Sequence, residues 1–252
     1  MILFCSDLDN TLIYSHRHEL PADKVLAEYL DGREQSYLTH FSAESLPKLA
    51  ERGIFLVPVT TRTQQQFDRI FVFGREGIVP CKYALVCNGS VLLKDGVPDE
   101  KWIAESMAVA EREFPEVERI YGKMLETPER EHAKLIEPFM AYMLSDRAVE
   151  LTEELSREAD GSLVTVCTHS RKVYCMAKSL TKGMAVKRLK EYLGAETLIA
   201  AGDSELDVPM LEAADKCFCA EEIARLVHSD DVTALPHPLS DGICRALLGN
   251  KS

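Results

Sequence analysis

The sequence is poor in the features that would support zinc, disulfide, membrane or nucleic-acid chemistry. Its eight cysteines (Cys5, Cys81, Cys87, Cys167, Cys175, Cys217, Cys219 and Cys244) form no CxxC pair and have no companion histidines at zinc spacing. Most lie in apolar runs, where a thiol acts as a small hydrophobe; only Cys217 with Cys219 leaves a metal or redox role open. No basic stretch followed by an apolar core opens the chain, so no signal peptide is read. No apolar run approaches the ~20 residues a membrane helix needs. Lys and Arg total 29 against 41 Asp and Glu, a net charge of -12, so there is no basic footprint for nucleic acid. Internal repeats and low-complexity stretches are also missing. The expectation is a cytoplasmic protein with no membrane or nucleic-acid partner. Its oligomeric state is not legible. At 252 residues the chain can bury roughly three quarters of its unfolded surface without staples.

What is present is a set of apolar runs with abrupt polar ends. Ile2-Leu3-Phe4-Cys5 runs into Asp7-Leu8-Asp9-Asn10, Ile54 to Val59 into Thr60-Thr61-Arg62, and Thr197 to Ala201 into Gly202-Asp203-Ser204-Glu205-Leu206-Asp207. Apolar runs without alternation predict strands buried on both faces. A helix from Ser42 to Arg52, capped by Ser42 and stopped by Gly53, separates the first two. One capped by Thr181 and running to Leu193 precedes the third. Helix-strand alternation implies an α/β doubly wound parallel, Rossmann-like core. In such a core, ligands bind outside the carboxyl ends of the strands, so the three polar turns converge. Each turn alone can be ordinary punctuation, since Asp, Asn, Ser and Thr are common there.

Residues 88–176 read differently. A turn at Asn88-Gly89 precedes an amphipathic helix from Pro98 to Phe114 with Trp102, Ile103, Met107 and Ala110 inward. A strand spans Leu135 to Leu144, a second helix Ser145 to Ala159. A hairpin pairs Leu163–Thr168 with Lys172–Ala177. This predicts a small α+β module inserted into the parallel core, giving a core of 1–87 plus 177–252 and an inserted domain of 88–176. The segment from Tyr14 to His40 reads as a loop, with a flap over the site as the other reading.

Asp7 and Asp9, two apart after a buried strand, point the same way. Two such carboxylates call for a cation. With no His or Cys in the turns, a hard divalent ion with oxygen ligands fits best, and Mg²⁺ foremost. Asp7 and Asp203 would supply carboxylates and Asp9 its backbone carbonyl. An Asp7 held that way keeps one oxygen free to attack phosphorus. Asp9 then suits proton transfer to the leaving alcohol and from the second-step water. Thr60 can donate to a phosphate oxygen. Lys182, at a helix start, can offset the charge of the transferring group.

These residues resemble the haloacid dehalogenase superfamily, in its Cof-type and sucrose-phosphate-phosphatase-like branch. Asp7-Leu8-Asp9-Asn10-Thr11-Leu12 is similar to its first motif, DxDxT. Thr60 with Arg62 is similar to the second motif, Lys182-Gly183 to the lysine motif, and Gly202 to Asp207 to the acidic one. The resemblance implies an Mg²⁺-dependent phosphatase acting through an aspartyl-phosphate. Asp7 would be the nucleophile and Asp9 the acid/base. Thr60, Thr61, Arg62 and Lys182 would lie at the phosphate, and Asp7, Asp9, Asp203 and Asp207 at the metal. The insert would be the α/β cap that sets specificity. The implied substrate is a small phosphorylated metabolite, a hexose phosphate first. Arg119, Lys123, Arg130, His132, Lys134, His169, Arg171 and Lys172 are candidate leaving-group contacts. Two departures stand out: Leu206 where many members have Asn, and Thr61 where many have Gly. A receiver-type signalling domain, a phosphomutase with the same site and a catalytically silent binding protein are the rival readings.

Overall fold

A computed structural model describes residues 1–249. In it the chain divides into two compact units, Met1–Asp99 with the segment from Lys182 on, and Glu100–Thr181.

In chain order the first unit begins with β1 (Ile2–Ser6), β2 (Tyr14–Ser15), β3 (Val25–Leu30), β4 (Arg33–Leu38), α1 (His40–Ser45), β5 (Ile54–Pro58), α2 (Gln64–Phe67), β6 (Tyr83–Val86), β7 (Val91–Lys94) and β8 (Val97–Pro98). The second unit holds α3 (Glu100–Ala110), α4 (Phe114–Leu125), β9 (Lys134–Ile136), β10 (Met140–Leu144), α5 (Ala148–Glu158), β11 (Val164–His169) and β12 (Lys172–Ala177). The first unit resumes with α6 (Lys182–Leu193), β13 (Thr197–Gly202), α7 (Val208–Glu212), β14 (Lys216–Ala220), β15 (Val232–Leu235) and α8 (Leu239–Leu248).

Five strands form one parallel sheet in the order β15-β14-β13-β1-β5. Phe4 and Cys5 of β1 are fully buried, as expected of a strand covered on both faces. The chain leaves β1 for β5 on one side and returns through β13 on the other, which makes the end of β1 the topological switch point. Register sharpens this. Ser6 pairs with both Pro58 and Ala201, so all three strands end at one level. The Asp7 amide donates to Ala201 O at 2.9 Å and the Val59 amide to Ser6 O at 2.8 Å. The polar turns therefore start side by side.

The segment from Tyr14 to His40 is not the expected loop. It forms a three-stranded antiparallel sheet in the order β2-β4-β3. Its hairpin turns through Asp31-Gly32, both at positive φ, an Asp-Gly turn that suits the twist of paired strands. The expected helix from Ser42 starts earlier, at Thr39, whose hydroxyl accepts from the Ser42 amide. It gives way to a 3₁₀ segment at Leu46–Arg52, where Pro47 lacks an amide to continue the α pattern. Gly53 ends it in the left-handed conformation, as anticipated.

In the second unit a four-stranded antiparallel sheet, β11-β12-β10-β9, packs one face on α4 and α5 through Ala141, Met143, Val173 and Cys175 against Val117, Ile120, Met124, Leu151 and Leu155. The helix expected over 98–114 is shorter, and Met107 lies outward rather than inward, while Ser106 is buried, its hydroxyl donating to Trp102 O at 2.9 Å. The helix α4, with Pro115 in its first turn, was not anticipated. The single strand expected over 135–144 is two, folded on each other around Glu137-Pro138 because proline cannot supply a ladder amide. The hairpin of β11 and β12 matches the sequence reading, with Ser170 at its turn. The units divide at Asp99 and Thr181 rather than at 87 and 176, because β7 and β8 pair with β6 in the first unit. Among the described residues, no helix is long and apolar enough to cross a membrane.

Candidate active site

The turn after β1 is tight. Leu8 O accepts from the amides of Thr11, Leu12 and Ile13, and Leu8 and Leu12 are fully buried beneath it. This fixes Asp7 at the sheet and turns Asp9 to one side. Asp7 is buried, and Lys182 Nζ donates to its Oδ1 at 2.5 Å. The same ammonium donates to Asp207 Oδ1 at 2.6 Å. Lys182 is only 2% exposed and Asp207 fully buried, so the cluster is closed to solvent except at Asp7, whose side chain is 10% exposed. Two glycines make room for it. A Cβ on Gly202 would run into the Asp207 side chain, and one on Gly183 into the Pro209 carbonyl, so only glycine lets α6 bring Lys182 this close.

The other oxygen of Asp207, Oδ2, accepts from the Asp203 amide (3.2 Å), the Ser204 amide (3.0 Å) and the Ser204 hydroxyl (2.8 Å). Asp207 thus braces the loop that carries Asp203. Asp203 itself accepts from Asn10 Nδ2 (3.3 Å) and Thr11 Oγ1 (3.2 Å), tying the last turn to the first. Thr60 is buried; its amide donates to Leu85 O, and its hydroxyl accepts from the Arg62 amide at 3.1 Å. Thr61 lies half-buried beside it, and Leu206 half-buried in the acidic turn.

Electrostatics follow from this packing. Burial pushes Asp7 well above the usual carboxylate range; Lys182 opposes the rise, and Asp207, Asp203 and Asp9 add to it. Burial, with Asp207 next, pushes Asp203 up to about 7. Lys182 is raised as well: burial disfavours its charge, but Asp207 and Asp7 outweigh that and keep it protonated. One oxygen each of Asp7, Asp203 and Asp207 lie within 4.8 Å of one another. Three carboxylates with a single ammonium among them form an all-oxygen set that fits a hard divalent cation such as Mg²⁺. Asp207 carries the most competing demand, with Lys182 on Oδ1 and three donors on Oδ2, whereas each Asp203 oxygen accepts a single neutral hydrogen bond.

Asp9 is expected at the metal through its backbone carbonyl, which leaves its side chain for another partner. Its carboxylate is turned to Arg62, which donates from Nε to Oδ2 at 2.8 Å and from Nη2 to Oδ1 at 2.7 Å. Arg62 was expected at the phosphate; the fork instead serves Asp9 with one edge and Glu28 with Nη1 at 2.9 Å. Burial lowers the guanidinium's affinity for its proton, but Asp9 and Glu28 more than offset that. Glu28, Asn10, Thr11 and Ser204 were not anticipated as contributors. Asn10 and Thr11 stood inside the first motif. Glu28 was signalled only as a charge inside the apolar run Val25–Leu30.

Among the eight candidate contacts in the second unit, Arg119 pairs with Glu116 (2.8 Å), Lys123 with Glu126 (3.4 Å) and Arg171 with Asp146 (2.5 Å), and His132 lies 3.8 Å from Glu131. Lys134, His169 and Lys172 lie on the sheet face opposite α4 and α5, where register places them with Tyr142 and Tyr174. Lys172 Nζ sits 5.7 Å from the Tyr142 ring centre. Arg130 lies in an exposed 3₁₀ turn.

The sequence model described as haloacid dehalogenase-like hydrolase matches residues 98–247. That span contains Lys182, Asp203 and Asp207 but not Asp7, Asp9 or Thr60. No curated protein sequence matches the chain. Several solved structures share the fold along its whole length. A haloacid dehalogenase-like hydrolase from B. subtilis is 19% identical, with all of both chains covered and a TM-score of 0.63. The sucrose-phosphatase of Synechocystis, solved with sucrose and phosphate, is 16% identical, with 98% of this chain and 96% of that one covered and a TM-score of 0.61. A trehalose-6-phosphate phosphatase from Aspergillus fumigatus is 15% identical, with 99% and 93% covered and a TM-score of 0.57.

Proposed function

The chain belongs to the haloacid dehalogenase-like hydrolase family, and from that membership we propose that it is a Mg²⁺-dependent phosphatase of small phosphorylated metabolites, sugar phosphates first. The observation that carries the proposal is the buried cluster at the end of β1. There Asp7, the switch-point carboxylate, meets Lys182 and Asp207 and stands within 4.8 Å of Asp203.

Asp7 attacks phosphorus; a P–O bond to Asp7 forms and the bond to the leaving oxygen breaks. Asp9 gives that oxygen its proton. Water then attacks the aspartyl-phosphate, Asp9 takes the water's proton, and the P–O bond to Asp7 breaks to return free carboxylate and inorganic phosphate. Lys182 holds Asp7 in place and offsets charge on the phosphoryl group, and Thr60 and Thr61 offer donors at the end of β5. When bound by Asp7, Asp203 and the Asp9 carbonyl, Mg²⁺ supplies charge neutralisation between carboxylates and phosphate. Asp207 acts from behind, on Lys182 and the Asp203 loop. We assign leaving-group selection to the Glu100–Thr181 unit, whose helix-free sheet face carries Lys134, His169, Lys172, Tyr142 and Tyr174. The sugar-phosphate preference is supported by the sucrose-phosphatase and trehalose-6-phosphate phosphatase likenesses.

The test is phosphate release from a panel of phosphorylated metabolites, with Mg²⁺ and with EDTA. Release from at least one sugar phosphate that stops with EDTA and resumes with Mg²⁺ is expected. Activity unaffected by chelation, or transfer of the phosphoryl group to a second hydroxyl faster than to water, would overturn the reading.

A further inference from the structure

The residue least explained by this chemistry is Glu28. It is a fully buried carboxylate on a strand of the β2-β4-β3 sheet, remote in sequence from every motif. Nothing local requires it, since Ala27 and Leu26 beside it supply the apolar contact. The strand is distorted to bury it. The pairing of β3 with β4 shifts register between Leu26 and Glu28 and again between Glu28 and Tyr29, and such irregularities redirect side chains. Both Ala27 and Glu28 are buried in consequence, where a regular strand would alternate. The far edge of β3 is fixed as well: Glu28 bridges Ile70, and the Phe71 amide donates to Ala27 O at 3.1 Å.

Two cations meet Glu28, and one of them, Arg62, leads on to Asp9. Oε1 accepts from Arg62 Nη1 at 2.9 Å and from Arg69 Nε at 3.0 Å; Oε2 accepts from the Ser36 hydroxyl at 3.0 Å. Arg62 also donates from Nη1 to Gln66 O at 3.3 Å. With that nitrogen anchored, the planar fork presents Nε and Nη2 to the two oxygens of Asp9. A planar guanidinium can do this and an ammonium cannot. The Asp9 side chain is 44% exposed and, without this anchor, has rotamers open to it.

We propose that Glu28 is a positioning residue that acts through Arg62 to hold Asp9 in one orientation. The β2-β4-β3 sheet is then a fixed part of the proton-transfer apparatus, and Arg62 serves Asp9 rather than the phosphate. This rests on the reading of Asp9 as acid/base.

The reading makes a demand that a general structural role does not. kcat/KM reports only the steps through departure of the leaving group, and protonation matters there in proportion to how poor that group is. The experiment compares kcat/KM for p-nitrophenyl phosphate and phenyl phosphate, with Mg²⁺, in wild type, Glu28→Gln, Arg62→Lys, the double variant and Asp9→Asn. Glu28→Gln should lose about tenfold or more on phenyl phosphate and less than about threefold on p-nitrophenyl phosphate. Arg62→Lys should show the same steepening. Adding Glu28→Gln to Arg62→Lys should cost less than about twofold more, since the two act in series. Should Glu28→Gln fail to fold, Glu28→Asp, which keeps the buried charge and shortens its reach, takes its place with the same substrates. Equal losses on both substrates, no loss, or additive losses in the double variant would overturn the inference. If Asp9→Asn shows the steepening and Glu28→Gln does not, only the positioning role fails. If Asp9→Asn does not show it, the acid/base reading falls and this one with it.

Discussion

Two ionic networks meet the turn after β1, and they are built to opposite specifications. The first, Asp7-Lys182-Asp207, is sealed: none of its members is more than about a tenth exposed, and a single ammonium bridges two carboxylates. The second, Asp9-Arg62-Glu28, runs from a fully buried end at Glu28 to a half-exposed one at Asp9. Removing one partner of a sealed cluster strands a charge that water cannot reach, whereas an exposed carboxylate is solvated once its pair is broken. The difference suits the proposed tasks. A nucleophile must be fixed in place, while a proton carrier must meet both a leaving group and a water molecule.

The largest effect should come from the sealed network. Asp7→Asn should lower hydrolysis of p-nitrophenyl phosphate by about three orders of magnitude or more while the far-UV circular dichroism spectrum stays unchanged. Lys182→Met should follow, leaving Asp7 and Asp207 buried without a counter-charge. Urea unfolding should report a loss of about 3–5 kcal/mol. Asp9→Asn should instead lose rate while keeping the stability that Lys182→Met gives up. Its rate should fall by about a hundredfold or more, but its unfolding free energy should change by no more than about 1 kcal/mol. Equal destabilisation by Lys182→Met and Asp9→Asn would erase the contrast.

The smallest effect is a pH dependence, and it sharpens the view of Asp203. A folded-state value raised to about 7 means that the folded protein keeps the proton longer than the unfolded chain. Its contribution therefore favours folding below the unfolded carboxylate value of about 4 and is lost as pH rises through about 7. In EDTA, Asp203→Asn should melt close to wild type at pH 5 and above it at pH 8. Mg²⁺ should raise the melting temperature of wild type at pH 8 and not that of the variant. Thermal melts at the two pH values check both statements.

Much of the first network could be read from sequence, and little of the second. Strands β1, β5 and β13 announce themselves as apolar runs without alternation, and their polar ends lie side by side for the reason parallel strands in register require. Lys182 was found at a helix start, although only the structure puts it between two carboxylates. Asp207 stands with Asp7 and Asp203 in the acidic group, as its place in the motif implies, but sequence shows its carboxylate and not the donors bound to it. Glu28 was invisible for a related reason. Its burial depends on a strand irregularity, and on a sheet whose Asp31-Gly32 turn was present but whose flanking residues alternate poorly. The helix α4 was missed although Val117, Ile120 and Met124 carry a helical period, because the preceding helix was drawn through to Phe114. In the 134–144 region Pro138 should have divided the strand.

The central claim is that Asp7 carries the phosphoryl group. An acyl phosphate is reduced by borohydride to an alcohol, so an aspartyl-phosphate leaves homoserine in its place. Wild-type protein mixed with excess p-nitrophenyl phosphate and Mg²⁺, quenched in acid, treated with borohydride and digested, should yield by mass spectrometry a peptide in which position 7 has become homoserine. Asp7→Asn should yield none. Turnover with no modification at position 7, or homoserine at another aspartate, would contradict the account.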